Sequence, residues 1–519
     1  MITAPPRDIP PITPAGNGAL PPDFTAVQLA NALAAMPVRL LDVTASSKEA
    51  RAGIAFLAYP GASRDGRGFI ADAVTRGASA VLYDPKDFAW QSEWRVPHLG
   101  VPDLKAHASQ IAGHIHGHPA EALWMVGVTG TNGKTSVSQW IAHGLEMAGR
   151  AAGVIGTIGQ GRVGALQPTD NTTPDAVTLQ RALRDFVREG LSACAMEVSS
   201  HGLDQGRVAD VKFDMAVFTN LTRDHLDYHG SMAAYGAAKE KLFDHRGVKH
   251  AIVNVDDPFG LALANKLATR ASLQLTRFST KQNGAFANLA ARNISLSPAG
   301  MEFDVFCSVT GAQGLAHVET GILGAFNVSN LLAVIGALLA SGLDLKTCAS
   351  IASRLPPVPG RLQTLREGGK PLVVVDYAHT PDALEKALST LAAIVPDQGR
   401  LISVFGCGGD RDRGKRPQMG AISAKFADLT ILTSDNPRTE NAQRILEDIE
   451  QGMGAAPYRS IVGRQEAIFT ALNEAQRDDV VLIAGKGHED YQISGEEKQH
   501  FSDVEVAHEA LSGWRGGML

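Results

Sequence analysis

A glycine-rich run followed by lysine and threonine could bind the phosphates of a nucleotide. Residues 127–136 read Gly-Val-Thr-Gly-Thr-Asn-Gly-Lys-Thr-Ser, after an apolar stretch at 123–128 and before a segment with helical spacing. This order of strand, loop and helix is typical of a P-loop, because backbone N–H groups at a helix N-terminus bind phosphate. Lys134 would reach the outer phosphates, and the Thr135 hydroxyl would bind Mg²⁺. The predicted nucleotide-binding residues of the loop are Gly130, Thr131, Asn132, Gly133, Lys134, Thr135 and Ser136.

A carboxylate at the end of a predicted strand is a second candidate for this chemistry. Glu197 lies in the apolar stretch 193–198 and precedes a Ser-Ser-His-Gly segment. Ligands of open α/β sheets bind beyond the carboxyl ends of the strands, so Glu197 is a candidate ligand of the nucleotide's Mg²⁺. The alternative is a solvated acid at a strand end.

A polar cluster follows the next predicted strand, at 215–219. Residues 219–229 place His225 among acidic, basic and histidine neighbours. A single histidine is more often structural than a ligand, but its position in a strand-end cluster favours a functional role. Lys239 lies in a helical stretch that begins near residue 235, and by itself it indicates only a charged helix surface.

Three polar segments in the last third of the chain each follow a predicted strand. Residues 408–416 are rich in arginine, residues 435–438 read Asp-Asn-Pro-Arg, and residues 485–489 read Gly-Lys-Gly-His-Glu. Each segment alone could be a charged exposed loop, but three of them beyond three strand ends indicate one crevice. Arginine there could pair with a carboxylate, and acidic residues could accept from an ammonium group.

The elements that must position these residues form the pattern of an α/β protein. Short apolar runs alternate with helical patterns, as in parallel sheets with helical crossovers. A Pro-rich run at 355–360 ends a helical stretch predicted over 329–353. We predict a poorly ordered proline-rich tail (1–23), a small N-terminal α/β domain (24–118), a central P-loop domain with a parallel sheet (119–355) and a Rossmann-like C-terminal domain (356–519).

Composition excludes some partners and locations. The chain has 519 residues, of which 44% are hydrophobic and 20% charged, with a net charge of −6. This charge gives no electrostatic reason to expect nucleic acid or an acidic membrane as a partner. No apolar run is long enough to span a bilayer, and the first residues lack the pattern of a secretory signal. The four cysteines are scattered without metal-ligand spacing, which favours the cytoplasm.

Three motifs together resemble those of the Mur ligase family. They are Thr-Gly-Thr-Asn-Gly-Lys-Thr, Glu-Val-Ser-Ser-His-Gly-Leu and Asn-Leu-Thr-Arg-Asp-His-Leu-Asp, and the resemblance extends from about Val43 to the C-terminus. The family comprises ATP-dependent, amide-bond-forming enzymes of peptidoglycan precursor synthesis. The P-loop is a variant in which Val128 stands where the usual spacing has glycine. Folylpolyglutamate synthases share this variant, so the two later motifs are needed to distinguish the Mur ligases from them.

The resemblance implies two Mg²⁺ ions and three catalytic residues. Thr135 and Glu197 match the protein ligands of the first ion, and His225 and a carbamylated Lys239 match those of the second. An ammonium group would be repelled by Mg²⁺, whereas a CO₂ adduct turns the lysine into an anion with oxygen ligands. Lys134, His225 and Lys239 match the catalytic residues of the family. Asn327 and Asp376 match further ATP-binding positions, although Asn327 could equally be a helix-start residue.

The resemblance also implies the binding residues of two other substrates. For a UDP-N-acetylmuramoyl dipeptide the matching residues are Ala45, Ser47, Ala62, Ser63, Arg64, Asn171, Thr172, Thr173, Ser199, Gln205 and Arg207. The loops at 44–48 and 61–67 depart from the usual family sequences, so they could instead be polar surface loops. For meso-diaminopimelate the matching residues are Arg411, Asp435, Asn436, Pro437, Arg438, Gly485 and Glu489.

The expected activity is the ATP-dependent addition of meso-2,6-diaminopimelate to UDP-N-acetylmuramoyl-L-alanyl-D-glutamate through an acyl phosphate. The expected protein is a monomer that acts in the cytoplasm on small molecules. An L-lysine-adding ligase would bury an unmatched arginine fork in the crevice, which is unfavourable. The sequence also leaves open a folylpolyglutamate-type ligase and a P-loop switch without catalysis.

Overall fold

Helices and strands alternate along most of the chain. The structure is a computed structural model, and it describes residues 17–61, 64–281 and 286–516. In chain order the strands are β1 (Asn17–Ala19), β2 (Asp42–Thr44), β3 (Ile54–Ala58), β4 (Ala80–Tyr83), β5 (His98–Gly100), β6 (Trp124–Thr129), β7 (Ala152–Ile155), β8 (Gln160–Arg162), β9 (Ala165–Gln167), β10 (Ala193–Glu197), β11 (Met215–Phe218), β12 (His250–Asn254), β13 (Gln274–Ser279), β14 (Leu289–Ser297), β15 (Gly300–Cys307), β16 (Gly314–Thr320), β17 (Gln363–Leu365), β18 (Leu372–Asp376), β19 (Leu401–Phe405), β20 (Leu429–Leu432), β21 (Tyr458–Ser460), β22 (Val480–Ala484), β23 (Tyr491–Ser494) and β24 (Glu497–His500).

The α-helices connect most of these strands. They are α1 (Ala26–Ala34), α2 (Ile70–Thr75), α3 (Leu104–Ile115), α4 (Lys134–Met147), α5 (Ala176–Arg188), α6 (Ser200–Asp204), α7 (Leu226–His229), α8 (Met232–Glu240), α9 (Pro258–Leu267), α10 (Ala325–Ala340), α11 (Leu345–Arg354), α12 (Pro381–Ala392), α13 (Lys415–Phe426), α14 (Ala442–Glu450), α15 (Arg464–Glu474) and α16 (Asp503–Ser512). Side-chain caps begin many of them, as at α5, where Asp175 accepts from two backbone N–H groups of the first turn.

The described residues form two compact units. Unit 1 contains the described residues up to Thr129, together with Arg150–Ala216 and Arg223–Lys249. Unit 2 contains Gly130–Gly149, Val217–Thr222 and the described residues from His250 onward. The domain bounds predicted at residues 24, 119 and 356 stay predictions.

Unit 1 contains one wholly parallel set of strands and one mixed set. Strands β1–β5 form a wholly parallel sheet in the order β1-β5-β4-β3-β2. A second set of strands runs in the order β6-β10-β7-β8-β9, with β6, β10 and β7 parallel and β8 and β9 antiparallel. Every residue of β10 is buried, in keeping with the continuous apolar runs of parallel strands.

Unit 2 contains a six-stranded sheet in the order β17-β18-β22-β19-β20-β21. Strand β17 is antiparallel to β18, and the other neighbours are parallel. Apolar cores cover both of its faces, so the central strand β22 is buried along its whole length. The carboxyl ends of β19, β20 and β22 therefore meet at one edge, as predicted for the crevice. Strands β12–β16 form the other sheet region of this unit.

The fold-class prediction of α/β architecture with parallel sheets is confirmed, with two local corrections. The predicted poorly ordered tail is wrong for its last residues: β1 pairs with β5, and Leu20 is buried in the adjacent core. Residues 1–16 lie outside the described residues. The helical stretch predicted over 329–353 consists of two helices, α10 and α11, because the chain turns at Gly342, which has φ of +97°.

The cysteines are free and buried in the structure. Burial raises the pKa of the Cys348 and Cys407 thiols to about 12. Cys194 and Cys307 are likewise buried, without a disulfide. Within the part of the chain that the structure describes, no helix is long and apolar enough to cross a membrane.

Candidate active site

The glycine-rich loop has the backbone geometry that phosphate binding requires. Gly130 and Gly133 have φ of +148° and +85°, a region that favours glycine. A Cβ on Gly130 would overlap the Thr219 hydroxyl, so the close approach of the two segments also requires glycine. The Thr131 N–H donates to the Asn220 carbonyl at 2.8 Å, and α4 begins at Lys134 immediately after the loop. The loop therefore presents a helix N-terminus in a fixed shape.

The lysine of the loop lies over its backbone. Lys134 Nζ donates to the carbonyl oxygens of Gly130 at 3.1 Å and Thr131 at 2.8 Å. Asn132 N–H donates to Asn220 Oδ1 at 2.9 Å. Thr135 is buried, and Ser136 follows it in the first turn of the helix. The predicted P-loop residues thus form one continuous structure in unit 2.

Two asparagines of α10 lie against this loop. Asn327 is buried, and its Nδ2 donates to the Leu323 carbonyl at 2.7 Å. Asn330 Nδ2 donates to Asn327 Oδ1 at 2.8 Å, and a Cβ on Gly133 would overlap Asn330 Oδ1. Asn327 is therefore a packed residue of the helix, not only a helix-start residue. Sequence reasoning missed Asn330, although its position one helical turn after Asn327 was a signal.

An arginine beyond the Pro-rich run also reaches the loop and was missed. Arg361 Nη2 is 3.4 Å from Thr135 Oγ1, and its guanidinium lies 5.1 Å from the ring centre of Tyr377. Arg361 Nε is buried and has no hydrogen-bond partner among the described residues. Asp376, at the end of β18, accepts from the Leu362 N–H at 2.7 Å, and burial raises its pKa. A cation placed this close to the loop can pair with phosphate.

Glu197 lies in unit 1, where its carboxylate is hydrogen-bonded to Thr157. It is buried at the end of β10, in register with Val128 of β6. Its oxygens accept from the Thr157 N–H at 2.7 Å and from the Thr157 hydroxyl at 3.3 Å. A Cβ on Gly156 would overlap the carboxylate, so glycine is required there. An anionic oxygen donor at a strand end suits a hard cation such as Mg²⁺.

The segment after Glu197 gathers most of the predicted dipeptide-binding residues. Thr173 Oγ1 donates to the Glu197 carbonyl and accepts from the Ser199 N–H, each at 2.9 Å. Arg207 Nη1 donates to the Thr173 carbonyl at 2.6 Å, and two other nitrogens bind Gln205 Oε1. Asn171 and Thr172 precede Thr173, and Thr172 hydrogen-bonds Thr157 at 3.0 Å. These residues form one polar cluster.

Three of the remaining residues predicted for the UDP group, Ala45, Ser47 and Arg64, lie between strands of the first sheet. Ser47 is buried in a 3₁₀ turn, Ser47–Glu49, whereas Ala45 is exposed. Arg64 is exposed, and its carbonyl accepts from the Gly61 N–H at 2.8 Å. Ala62 and Ser63 lie outside the described residues. The grouping of these five residues stays a prediction.

Lys239 and His225 share an aromatic neighbour. Lys239 is buried, with Nζ 4.3 Å from the ring centre of Tyr235, and the His225 ring centre lies 6.1 Å from that of Tyr235. His201 lies 4.8 Å from His225 and 5.4 Å from His229 between ring centres. Burial lowers the pKa of His201 and His229, which favours the neutral form of these two imidazoles. Within the described residues no three His, Cys, Asp or Glu side chains are grouped to hold a metal.

These surroundings fit the predicted second ion only if Lys239 is modified. An ammonium group repels Mg²⁺, whereas a carbamate supplies the anionic oxygens that a hard cation needs. Neutral imidazole is a competent ligand beside it. The chemistry of the donor set is therefore compatible with carbamylation.

The three C-terminal segments meet at the predicted sheet edge in unit 2. The Gly409 N–H donates to the Asn436 carbonyl at 2.9 Å, and a Cβ on Gly409 would overlap the Pro437 carbonyl. Asn436 Nδ2 donates to Glu489 Oε2 at 3.0 Å. Gly485 has φ of +119°, and a Cβ there would be 2.6 Å from Asp435 Oδ2. The prediction of one crevice from three strand ends is supported by these contacts.

The arginines of the crevice differ in how they are held. Arg438 Nη1 donates to the Gly409 carbonyl at 2.8 Å, and its backbone has φ of +52°. No hydrogen bond from a described residue engages Arg438 Nε or Nη2, so that edge of the fork can bind a carboxylate. Arg411 is exposed on the neighbouring loop. Burial raises the pKa of Glu489 and lowers that of Lys486, whose Nζ is 3.5 Å from Glu489.

Comparisons with known proteins identify the family of the chain. The Mur ligase middle domain matches residues 128–338, and the Mur ligase glutamate ligase domain matches residues 360–487. The chain belongs to the Mur ligase family. Its relatives include UDP-N-acetylmuramoyl-L-alanyl-D-glutamate–2,6-diaminopimelate ligases from Chromobacterium violaceum, 49% identical over 91% of this chain and 94% of that protein, and from Pseudomonas aeruginosa, 47% identical over 91% and 95%.

Solved structures give the same family and a wider fold likeness. A UDP-N-acetylmuramoyl-L-alanyl-D-glutamate–2,6-diaminopimelate ligase is 36% identical, with a TM-score of 0.68 over 91% of this chain and 95% of that one. A folylpolyglutamate synthase from Mycobacterium tuberculosis has a TM-score of 0.58 at 17% identity, over 73% of this chain and 92% of that one. The second likeness concerns the fold alone.

Proposed function

We propose that the chain is an ATP-dependent ligase that joins meso-2,6-diaminopimelate to UDP-N-acetylmuramoyl-L-alanyl-D-glutamate. The product would be a cytoplasmic precursor of peptidoglycan, and the enzyme would act as a monomer. The names of the relatives that cover nine-tenths of the chain support this substrate pair. A solved structure complexed with ADP, from Thermotoga maritima at 18% identity, is a further reason to test ATP.

One observation carries the choice of amino acid. The crevice in unit 2 holds Arg438, with one edge of its guanidinium available, and Glu489, joined to Asn436. Diaminopimelate has a second carboxylate and a second amine at its far end, which these two side chains can bind. Lysine lacks that carboxylate, so its binding would leave the arginine fork unmatched.

Different residues of the chain act in the two steps of the proposed reaction. The D-glutamate side-chain carboxylate attacks the γ-phosphorus of ATP, which gives an acyl phosphate and ADP. Lys134 neutralises charge that develops on the phosphate oxygens, exchanging its present carbonyl partners for them. The neutral amine of diaminopimelate then attacks the acyl carbon, and phosphate leaves. Asp435 and Glu489 can accept hydrogen bonds from the ammonium group at the far end.

Two Mg²⁺ ions belong to this proposal. The residues proposed to hold them are Thr135 and Glu197 for one, and His225 with carbamylated Lys239 for the other. Bound Mg²⁺ would neutralise negative charge on the phosphate oxygens. The buried carboxylate of Glu197 and the imidazoles of His201 and His225, whose ring centres are 4.8 Å apart, support the assignment.

The proposed function is tested by phosphate release from ATP in the presence of the UDP-linked dipeptide. We expect diaminopimelate to support turnover, and L-lysine to have a kcat/KM lower by about 10²-fold or more, because lysine lacks the carboxylate that the half-buried Arg438 would pair with. A folate substrate with glutamate should support no turnover. Equal turnover with lysine would contradict the specificity, and absence of any substrate-dependent release would favour a nucleotide-dependent switch.

Carbamylation of Lys239 predicts that activity depends on dissolved CO₂. The neutral amine adds to CO₂ and loses a proton, so the adduct dissociates when CO₂ is removed. We expect CO₂-free buffer to lower the initial rate by about tenfold or more, because the charge-stabilising group is lost. Bicarbonate should restore the rate.

Lys239→Arg provides the matching variant, since arginine cannot form the adduct. It should be inactive with and without bicarbonate. Lys241→Arg is the control, because Lys241 lies two residues away, is exposed and pairs with Asp204. If the wild-type rate does not depend on CO₂ and the Lys239→Arg variant is active, Lys239 is not carbamylated in the active enzyme.

A further inference from the structure

A fully buried ion pair lies behind the amino-acid crevice. Arg464 is the first residue of α15, and Asp503 is the first residue of α16. Arg464 Nε and Nη2 donate to the two carboxylate oxygens of Asp503, each at 2.7 Å. Both side chains have 0% exposure. The pair is therefore bidentate and wholly removed from solvent.

The other contacts of this guanidinium reach two different strand ends. Arg464 Nη1 donates to the Ser434 carbonyl at 3.2 Å, and Nη2 donates to the Ala484 carbonyl at 3.0 Å. Ser434 immediately precedes Asp435, and Ala484 immediately precedes Gly485. One side chain thus binds the last peptide groups before two of the three segments that form the crevice.

The same guanidinium lies close to the crevice without entering it. A Cβ on Gly485 would be 3.9 Å from Arg464 Nη2 and 2.6 Å from Asp435 Oδ2. Arg464 and Asp435 thus both lie beside Gly485, and Arg464 is too buried to touch a substrate. Its effect on catalysis must pass through the positions of Asp435 and Gly485.

A contribution to the folding stability of the protein is by itself a weak explanation for the buried Arg464–Asp503 pair. A buried ion pair is often replaced by apolar residues of similar volume without loss of stability. Only a planar fork, however, can bind one carboxylate and two carbonyls at fixed angles, and lysine cannot reproduce this geometry. The chain therefore has a group suited to fixing the spacing of two loops.

We propose that Arg464, held by Asp503, is a positioning residue that sets the distance between the Asp435 and Gly485 segments for the amino-acid substrate. The proposal rests on the proposed function, since it assumes that this crevice binds the incoming amino acid. It predicts that loss of the fork weakens use of the amino acid while leaving use of ATP nearly unchanged.

A second Arg–Asp pair in the same sheet provides a matched control. Arg400 Nη2 donates to Asp479 Oδ2 at 2.8 Å and to the Glu474 carbonyl at 2.8 Å. Asp479 directly precedes β22, so this pair lies at the amino end of the strand whose carboxyl end Arg464 binds. Arg400→Lys removes a guanidinium from the end away from the crevice; this side chain is 41% exposed, whereas Arg464 is fully buried.

The test compares Arg464→Lys with Arg400→Lys in the full-length protein. The KM for the amino acid, the KM for ATP, kcat and Tm are measured, using whichever of diaminopimelate or lysine the wild type ligates. We expect Arg464→Lys to raise the amino-acid KM by about 10- to 100-fold and the ATP KM by less than about twofold, because small displacements of binding groups have effects of this size. Arg400→Lys should leave the amino-acid KM within about twofold of wild type.

A double variant separates positioning from folding. Arg464→Met with Asp503→Leu replaces the pair by apolar side chains, and its Tm shows whether the core is restored. If the double variant has the Tm of the wild type and a raised amino-acid KM, the result supports the positioning role of Arg464. This result is sufficient support if Arg464→Lys does not fold. A wild-type KM in that variant, or equal KM changes in Arg464→Lys and Arg400→Lys, would overturn the proposal. Ligation of lysine alone by the wild type would instead overturn the choice of diaminopimelate.

Discussion

Replacing Lys134 by methionine is expected to lower formation of the acyl phosphate by at least about 10³-fold, the scale of a lost charge at a transferring phosphoryl group. Lys134 is the first residue of α4, and its ammonium group lies 3.1 and 2.8 Å from two carbonyl oxygens of the loop. Methionine keeps the length and apolar stem of the side chain but removes the charge. ADP formation with the UDP-linked dipeptide and ATP is the measurement.

Lys425→Met is the control for this experiment. Lys425 is exposed on α13 and pairs with Glu385 at 3.0 Å, so its loss should leave the rate close to wild type. ATP binding measured separately should weaken far less than the rate falls, since the developing charge exceeds that of the ground state. Unchanged ADP release in Lys134→Met would remove this residue from the reaction.

The second large effect is expected for Arg438→Ala. The variant should lower kcat/KM for diaminopimelate by about 10²- to 10³-fold, because a charge-assisted, bidentate contact to the distal carboxylate is lost. The KM for ATP should change little, since Arg438 contacts the Gly409 and Asn436 carbonyls of the crevice. Initial rates at varied diaminopimelate and at varied ATP measure the two effects separately.

An exposed arginine close in sequence provides the comparison. Arg444 lies in the first turn of α14 and is exposed, so Arg444→Ala should keep the wild-type kcat/KM. The Arg438→Ala variant also loses the Gly409 contact, so its Tm should be measured beside the rates. Equal losses in the use of diaminopimelate and ATP would argue against a role in specificity.

Local patterns in the sequence were sufficient to predict several of the central parallel strands. The predictions at 193–198 and 215–219 coincide with β10 and β11 to within one residue, and the apolar stretch at 123–128 coincides with β6 to within one residue at each end. These are short apolar runs bounded by polar residues, and parallel strands buried on both faces have that composition. The helical stretch predicted over 329–353 contains a break at Gly342, which has a positive φ, and Asp344 caps the next helix; glycine followed by a capping aspartate was a local signal that the prediction overlooked.

The site was predictable where a short polar motif follows a strand end, whatever the distance along the chain to its partners. The P-loop and the three C-terminal segments are of this kind, although Asn436 and Glu489 are 53 residues apart. Arg361 and Arg464 could not be predicted, because each is a single charged residue outside such a motif. A charged side chain that acts through a distant carbonyl leaves no local pattern.

The buried cysteines make the native protein nearly inert to thiol reagents. A thiol reacts as thiolate, and burial both shields the sulfur atoms and raises the pKa of Cys348 and Cys407 to about 12. Alkylation must therefore await an opening of the surrounding core. The rate of alkylation would then measure how often the core opens. A cysteine introduced at the surface could be labelled selectively, without removal of the four native cysteines.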